Sequence, residues 1–228
     1  MIQDTIIELK KELPSDVTLV AVSKFHPFQA IVEAYNAGQR IFAESRPQEL
    51  LSKQRELEAH NDMPGLKWHF IGHLQTNKLK MVLPYVSLVE SVDSVHLLDA
   101  IEKWGEANDK TTNVLLEYHI SFDVTKQGFS KAEIMSIFTD APNRYHHIRF
   151  RGLMGMATHT TDEAVIRADF RKITTLAGQI KAITNISDII DVNDFELSFG
   201  MSGDWRIAVE CGSTMVRIGT LIFGNRVY

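Results

Sequence analysis

The chain has 228 residues, of which 44% are hydrophobic and 23% are charged, and its formal net charge is −5. This length and composition are typical of a globular protein with a sizeable core. The negative charge, without a concentrated basic cluster, argues against nucleic-acid binding, and no apolar run is long enough to cross a bilayer. Cys211 is the only cysteine, which excludes an internal disulfide and favours a cytoplasmic location.

In chain order, short β-branched and aromatic runs alternate with helical segments, after an amphipathic helix over residues 2–13. The predicted strands cover residues 17–22, 40–43, 67–72, 86–90, 114–120, 148–156, 195–199 and 215–218. The predicted helices between them cover residues 27–37, 47–59, 76–82, 95–107, 131–139, 162–182 and 204–211. This alternation predicts an α/β fold with a parallel sheet, either open and doubly wound or closed. Eight units predict a single (β/α)8 TIM-type barrel over residues 1–228 with an extra N-terminal helix.

Two loops near the end of the chain contain residue types that commonly bind phosphate. Ser198, Gly200 and Ser202 follow the seventh predicted strand, and Gly219 and Thr220 follow the eighth. Small residues and hydroxyls let backbone N–H groups approach an anion, and Thr220 could open a short helix whose N-terminus favours phosphate. Ordinary strand-to-helix turns also select glycine and serine. However, these are the two loops that most often bind phosphate in such barrels, so we predict a phosphate site.

Two basic residues at strand ends are candidates for contact with a bound molecule. Lys24 closes the apolar first strand, where desolvation favours the neutral amine that attacks an aldehyde. A lone lysine at a strand edge is more often a surface group. The prediction that Lys24 contacts a bound molecule therefore depends on the phosphate site across the same rim. Arg217, at the end of the eighth strand, could face a ring nitrogen or form a structural ion pair with a barrel carboxylate.

Five segments of the chain resemble, in order and spacing, the signature segments of the pyridoxal 5'-phosphate (PLP) homeostasis protein family. That family shares the barrel of the N-terminal domain of alanine racemase. The matching segments are AVSK at 21–24, WHFIGHLQTNK at 68–78, RGLMGM at 151–156, SFGMS at 198–202 and STMVRIGTLIFG at 213–224. Five strings in order are far more specific than one, and together they extend over nearly the whole chain.

The resemblance implies PLP as the cofactor, with a role for each matching residue. Lys24 corresponds to the Schiff-base lysine, and Arg217 corresponds to the residue that faces the pyridine nitrogen. The positions that match the phosphate site are Ser198, Ser202, Gly219 and Thr220.

Three further positions follow from the same resemblance. Met154 and Met201 match apolar positions near the ring. The family typically has an asparagine near the cofactor after the second strand, where this chain has Ser45. Ser45 is therefore also assigned to the cofactor site by the resemblance, although serine is shorter than asparagine and lacks its amide.

The resemblance implies a non-catalytic role: binding PLP and influencing its supply to other enzymes. The partners that it implies are PLP and PLP-dependent client enzymes. The composition predicts a cytoplasmic protein without nucleic-acid or membrane partners, and without a second domain to dimerise through we expect a monomer. Racemisation needs two bases, and alanine racemase takes the second from a C-terminal domain of the partner subunit. This chain ends at Tyr228, about four residues after the last matching segment, so we expect no such domain.

Two enzymatic functions are alternatives. The first is a PLP-dependent amino-acid racemase or aldolase. The second is a barrel enzyme that acts on a phosphorylated metabolite through a Schiff-base lysine. His69 and His73 could be mistaken for metal ligands, but no third ligand lies at a suitable spacing, and we predict no metal site.

Overall fold

The computed structural model describes residues 1–60, 63–123, 127–183, 190 and 194–225, and its eight parallel strands close into a barrel. The strands are β1 (Thr18–Val22), β2 (Ile41–Glu44), β3 (Lys67–Phe70), β4 (Val86–Val92), β5 (Thr112–Glu117), β6 (Ile148–Met154), β7 (Glu196–Ser198) and β8 (Met215–Ile218). Each strand pairs with the next in chain order, and β8 returns to β1 with Met215 opposite Thr18. The predicted barrel is confirmed, and the open sheet is excluded.

Helices connect the strands and surround the barrel. They are α1 (Ile2–Glu12), α2 (Phe28–Asn36), α3 (Pro47–His60), α4 (Leu79–Val82), α5 (Val95–Asn108), α6 (Lys131–Arg144), α7 (Glu163–Lys181), α8 (Trp205–Glu210) and α9 (Thr220–Phe223). The predicted N-terminal helix is present as α1, and a 3-10 turn over Thr76–Lys78 leads into α4. Within the described ranges, no helix combines the length and the apolarity that a membrane span requires.

The strands bury both faces, and the described residues form two hydrophobic clusters. The larger one lies between the strands and the helices and includes Phe42, Trp68 and Phe150. The smaller one fills the barrel interior and consists of Val20, Val22, Ala43, Leu88, Leu115, Met154 and Met215. Alternate residues of a strand point to opposite faces. An inward-facing residue at a strand's carboxyl end therefore reaches the mouth of the barrel, where function is concentrated in this fold.

One helix is longer than its sequence predicts. We predicted that the helix before β6 would end near residue 139, but α6 continues to Arg144. Tertiary packing extends it: Ala141 is fully buried, and the backbone N–H of Tyr145 donates to its carbonyl oxygen at 3.0 Å. At the other end, Ser130 and Glu133 form a capping box that fixes the start of the helix.

Candidate functional site

A cavity of about 660 Å³ opens at the carboxyl ends of the strands, where the barrel fold predicts a functional site. Its volume is in the range that accommodates a small molecule or a cofactor. Seven of the nine residues singled out from the sequence line it, namely Lys24, Met154, Met201, Ser202, Arg217, Gly219 and Thr220. The structure therefore brings together residues that come from β1, β6, β7 and β8 and the loops that follow them.

Lys24 lies two residues beyond the end of β1 and is half-buried in the cavity wall. The β8 loop packs directly against this end of β1, because a Cβ atom on Gly219 would lie only 3.1 Å from the carbonyl oxygen of Val22. A larger residue at this position would push the two segments apart. The glycine therefore explains why the lysine and the Gly219-Thr220 turn share one cavity.

The two predicted phosphate loops are joined by a hydrogen bond. The backbone N–H of Leu221 donates to Ser202 Oγ at 3.3 Å, and α9 begins at Thr220 in the cavity wall. Gly200 has a φ of +98°, and a Cβ there would lie 2.5 Å from the Cβ of Ala208, so the turn after β7 requires glycine. Hydroxyls and a helix start therefore face one side of the cavity, as an anion site needs.

Arg217 extends from β8 through the barrel interior to the cavity floor, with only 4% of the residue exposed. Its Nη1 donates to the carbonyl oxygen of Ser198 at 2.7 Å and to Ser198 Oγ at 2.6 Å, and its Nη2 donates to the carbonyl oxygen of Gly155 at 3.1 Å. Burial lowers the pKa of Arg217, while the charges of Glu90, Glu117 and Asp204 act in the opposite direction. The guanidinium is therefore held in one orientation by β6 and β7.

Glu90 is the carboxylate beneath this arginine, and it is not among the residues predicted from the sequence. Its Oε1 lies 2.6 Å from His69 Nδ1, its Oε2 accepts from Ser198 Oγ at 2.6 Å, and its Oε2 lies 3.9 Å from Arg217 Nη1. Burial opposes the charge of Glu90, but the hydrogen bond and charge of His69, with Arg217 and Ser198, keep its pKa below the usual value. Arg217 thus has the barrel carboxylate that one of its two alternatives required, and it lines the cavity, while its contact with a ring nitrogen stays a prediction.

Two of the predicted site residues lie outside the cavity lining. Ser198 is fully buried, and its hydroxyl connects Glu90 with Arg217. Ser45 is half-buried beside Gly72. A Cβ atom on Gly72 would lie only 2.0 Å from the carbonyl oxygen of Ser45, so the loops after β2 and β3 are in direct contact. The phosphate contact of Ser198 and the cofactor contact of Ser45 stay predictions.

The loop after β6 forms a further part of the lining that we did not predict. Thr158, His159 and Thr160 line the cavity, and Thr158 fixes the loop through its N–H and Oγ1, which donate to Asp169 Oδ2 at 2.9 and 2.7 Å. Asp169 is fully buried in α7. The available sequence signal was a polar run at the carboxyl end of a strand, where any barrel places its functional loops.

Two histidines, one in β3 and one in the loop after it, have carboxylate partners. His69 contacts Glu90, and His73 Nδ1 lies 2.8 Å from Asp93 Oδ2. Across the described part of the chain, no group of three or more His, Cys, Asp or Glu side chains is arranged to hold a metal ion.

The whole chain is similar to proteins of one family. The model "Alanine racemase, N-terminal domain" matches residues 2–227. The pyridoxal phosphate homeostasis protein of Vibrio alginolyticus is 36% identical over 215 residues, which cover 94% of this chain and 89% of the relative. The human protein of the same name is also 36% identical, over 235 residues that cover 100% of this chain and 83% of the relative. The chain belongs to the pyridoxal phosphate homeostasis protein family.

Solved structures agree with this family and with the barrel. PipY of Synechococcus elongatus PCC7942, solved without PLP, superposes with a TM-score of 0.89 at 34% identity over 98% of this chain and all of that one. The same protein with PLP bound gives a TM-score of 0.86 at 33% identity and the same coverage. Alanine racemase of Clostridium difficile 630 has a TM-score of 0.76 at 12% identity, over 98% of this chain and 56% of that one, and shows a shared fold.

Proposed function

We propose that this chain binds PLP covalently through Lys24 and holds it for intracellular PLP homeostasis, as one domain and without catalytic turnover. The observation that carries the proposal is that one cavity of about 660 Å³ is lined by Lys24, by Arg217 and by the hydroxyl residues Ser202 and Thr220. The family relatives are named for PLP homeostasis rather than for an enzymatic reaction, and the PipY structure with PLP bound shows the ligand in a relative.

The side chains in the cavity fit the chemical groups of PLP. PLP supplies an aldehyde, which reacts with amines, and a phosphate, which anchors it. The Lys24 amine would take the aldehyde, and the hydroxyls of Ser202 and Thr220, with the start of α9, would hold the phosphate. Met154 and Met201 would provide apolar contacts to the ring. Gly219 lets the phosphate loop approach β1, which brings the anchor to the same cavity as the amine.

The environment of Arg217 favours the retention of PLP over catalytic turnover of a substrate. The guanidinium is permanently charged and fixed by Ser198 and Gly155, so at the ring nitrogen it would oppose protonation of that atom. Without that proton the ring withdraws electrons weakly. His159 and Glu163, which are also in the described lining and could exchange protons, are exposed at the cavity edge. Asp204 is engaged in accepting the backbone N–H of Met201 at 2.6 Å.

The proposal includes a cytoplasmic monomer that supplies PLP to PLP-dependent enzymes. A single cysteine in 228 residues suits a reducing compartment. The name of the relatives, with its reference to homeostasis, supports transfer or buffering rather than consumption of PLP.

An amino-acid assay of the PLP-loaded protein tests the absence of turnover. We expect a visible absorption band on addition of PLP, and no racemisation of L- or D-amino acids at ordinary enzymatic rates of about 1 s⁻¹ or more. A band together with such turnover would replace the proposal by a PLP-dependent racemase. A protein that stays colourless with excess PLP would instead favour an enzyme for a phosphorylated metabolite.

Removing both hydroxyls of the phosphate side should weaken PLP retention. The double variant Ser202→Ala and Thr220→Ala would lose two charge-assisted hydrogen bonds to the phosphate, each worth about 1.5–3 kcal/mol, so we expect the dissociation constant to rise at least about 150-fold. Equilibrium dialysis of the protein, without borohydride reduction, measures this dissociation constant. Thr161→Ala is a matched control, because Thr161 lies in the exposed part of the same lining. Unchanged retention in the double variant would contradict the phosphate assignment.

A further inference from the structure

A cluster of charged side chains lies behind Lys24, on the face of β1 and β2 that is covered by α3. It consists of Glu44 at the end of β2 and of Glu49 and Lys53 in α3, and we name it the lysine-loop clamp. We propose that this clamp is a positioning device that fixes the backbone on both sides of Lys24, so that the amine is presented to the aldehyde in one orientation. The inference deepens the proposed function and rests on it for the role of Lys24.

Lys53 is the centre of the clamp. It is buried, with 4% of its side chain exposed, and its ammonium donates to three acceptors. These are Glu44 Oε1 at 2.6 Å, Glu49 Oε1 at 2.8 Å and the carbonyl oxygen of Ser23 at 2.8 Å. An ammonium has three N–H donors, so all of them are used. The third acceptor belongs to the residue directly before Lys24.

The carboxylates of the clamp hold the same segment. Glu49 Oε1 accepts the backbone N–H of Phe25, the residue directly after Lys24, at 2.6 Å. Ser23 Oγ donates to Glu44 Oε1 at 2.7 Å. The residues before and after Lys24 are therefore both anchored to one buried cluster, and Lys24 itself lines the cavity.

Phe25 has a backbone conformation that needs such an anchor. Its φ is +67°, in the left-handed region that is unfavourable for residues other than glycine. The guanidinium of Arg46 lies 4.5 Å from its ring, and the next residue, His26, stacks on Phe223 of α9 with ring centroids 5.3 Å apart. A strained residue persists only where its surroundings determine it, and such residues are concentrated at functional sites.

A purely stabilising role explains this arrangement less well. Buried ion pairs contribute little net stability compared with apolar residues of the same size. Burial raises the pKa of Glu44 to about 7, and Glu44 Oε2 has no hydrogen-bond partner among the described residues. The cluster is therefore costly, and its hydrogen bonds to main-chain atoms go to the two neighbours of Lys24. This pattern indicates that its benefit is the geometry of the lysine loop.

The test uses variants that remove one anchor each. Lys53→Met keeps the length of the side chain but removes the ammonium, Glu49→Leu removes the acceptor for Phe25, and Glu49→Gln keeps an acceptor oxygen. Lys10→Met is the matched control, because Lys10 also donates to a main-chain carbonyl, that of Gly38 at 2.5 Å, but beside the amino-terminal ends of β1 and β2.

Two measurements are made on each variant. The first is the rate at which PLP becomes trapped by borohydride as a covalent adduct on the protein. The second is the hydrogen-exchange rate of the Phe25 amide in PLP-free protein, which does not depend on the cofactor. For Lys53→Met and Glu49→Leu we expect adduct formation to slow about tenfold and Phe25 exchange to accelerate about tenfold or more. Glu49→Gln and Lys10→Met should stay within about twofold of the unmodified protein.

The outcomes separate this inference from the proposed function. If the unmodified protein forms no adduct, the proposed function is wrong. If it forms the adduct and Lys53→Met and Glu49→Leu form it equally fast, the inference is overturned. Should Lys53→Met fail to fold, the comparison of Glu49→Leu with Glu49→Gln decides alone, since 20% of the Glu49 side chain is exposed and its removal disturbs the core less.

Discussion

Replacing Lys24 by alanine should abolish the visible absorption band that PLP produces on binding, while the protein remains folded. Under the proposed function the band requires a covalent bond to the Lys24 amine, whereas the proposed phosphate side of the cavity, with Ser202 and Thr220, is intact in this variant. We therefore expect PLP to bind non-covalently with an affinity about a hundredfold lower, or roughly 2.7 kcal/mol. Spectroscopic titration and equilibrium dialysis measure the two effects separately.

Lys10→Ala is the control for the loss of a lysine, since Lys10 lies beside the amino-terminal ends of β1 and β2. It should keep the band and the affinity. The half-buried position of Lys24 means that its replacement should change the free energy of unfolding by about 1 kcal/mol or less. A Lys24→Ala protein with an unchanged band would show that another lysine holds PLP.

The largest effect on stability is expected for Glu90→Gln. Arg217 and Glu90 are both buried, and Glu90→Gln removes the carboxylate charge that contributes most to stabilising the guanidinium in the barrel interior. Breaking such a pair costs about 3–5 kcal/mol, and urea unfolding measures the loss. Asp99→Asn is the matched control, because the Asp99–Arg144 pair has side chains that are 40% and 48% exposed. It should cost less than about 1 kcal/mol.

The effect of Glu90→Gln should also depend on pH. The folded protein keeps the pKa of Glu90 below its usual value of 4.5. The stabilisation by the ionised carboxylate is therefore complete above pH 4.5 and is lost as the pH falls through the lower, folded-state pKa. The difference in unfolding free energy between the unmodified protein and the variant should shrink in acid. A difference that grows in acid, or one below 1 kcal/mol at pH 7, would contradict the assigned role of Glu90.

The strand order could be predicted, and most element boundaries to within about two residues, because local patterns determine them. The eighth strand was predicted over residues 215–218, and β8 has these bounds. Strand β5 begins at Thr112 rather than at residue 114, because Thr112 and Asn113 pair with Ile148 and Arg149 of β6. Pairing between strands that are distant in sequence is not encoded in the composition of either strand alone.

The candidate site was predictable where it depends on the fold and on matching motifs, as for Lys24, Arg217 and Thr220. Glu90 was missed because its partners come from β3, β7 and β8, and only the closed barrel brings them together. A retrospective signal exists: a glutamate in the apolar strand VSLVESV, at an inward-facing position, must have a buried partner. Lys53 gave no comparable signal, because lysines in a polar helix such as α3 are normally exposed.

The most direct test of the account is to identify the residue that carries PLP. The protein is loaded with PLP, reduced with borohydride, digested and analysed by peptide mass spectrometry. The account predicts the mass of the reduced cofactor on the peptide that contains Lys24, at a stoichiometry near one per chain. A cofactor mass on a different lysine, or no modified peptide from a protein saturated with PLP, would contradict it.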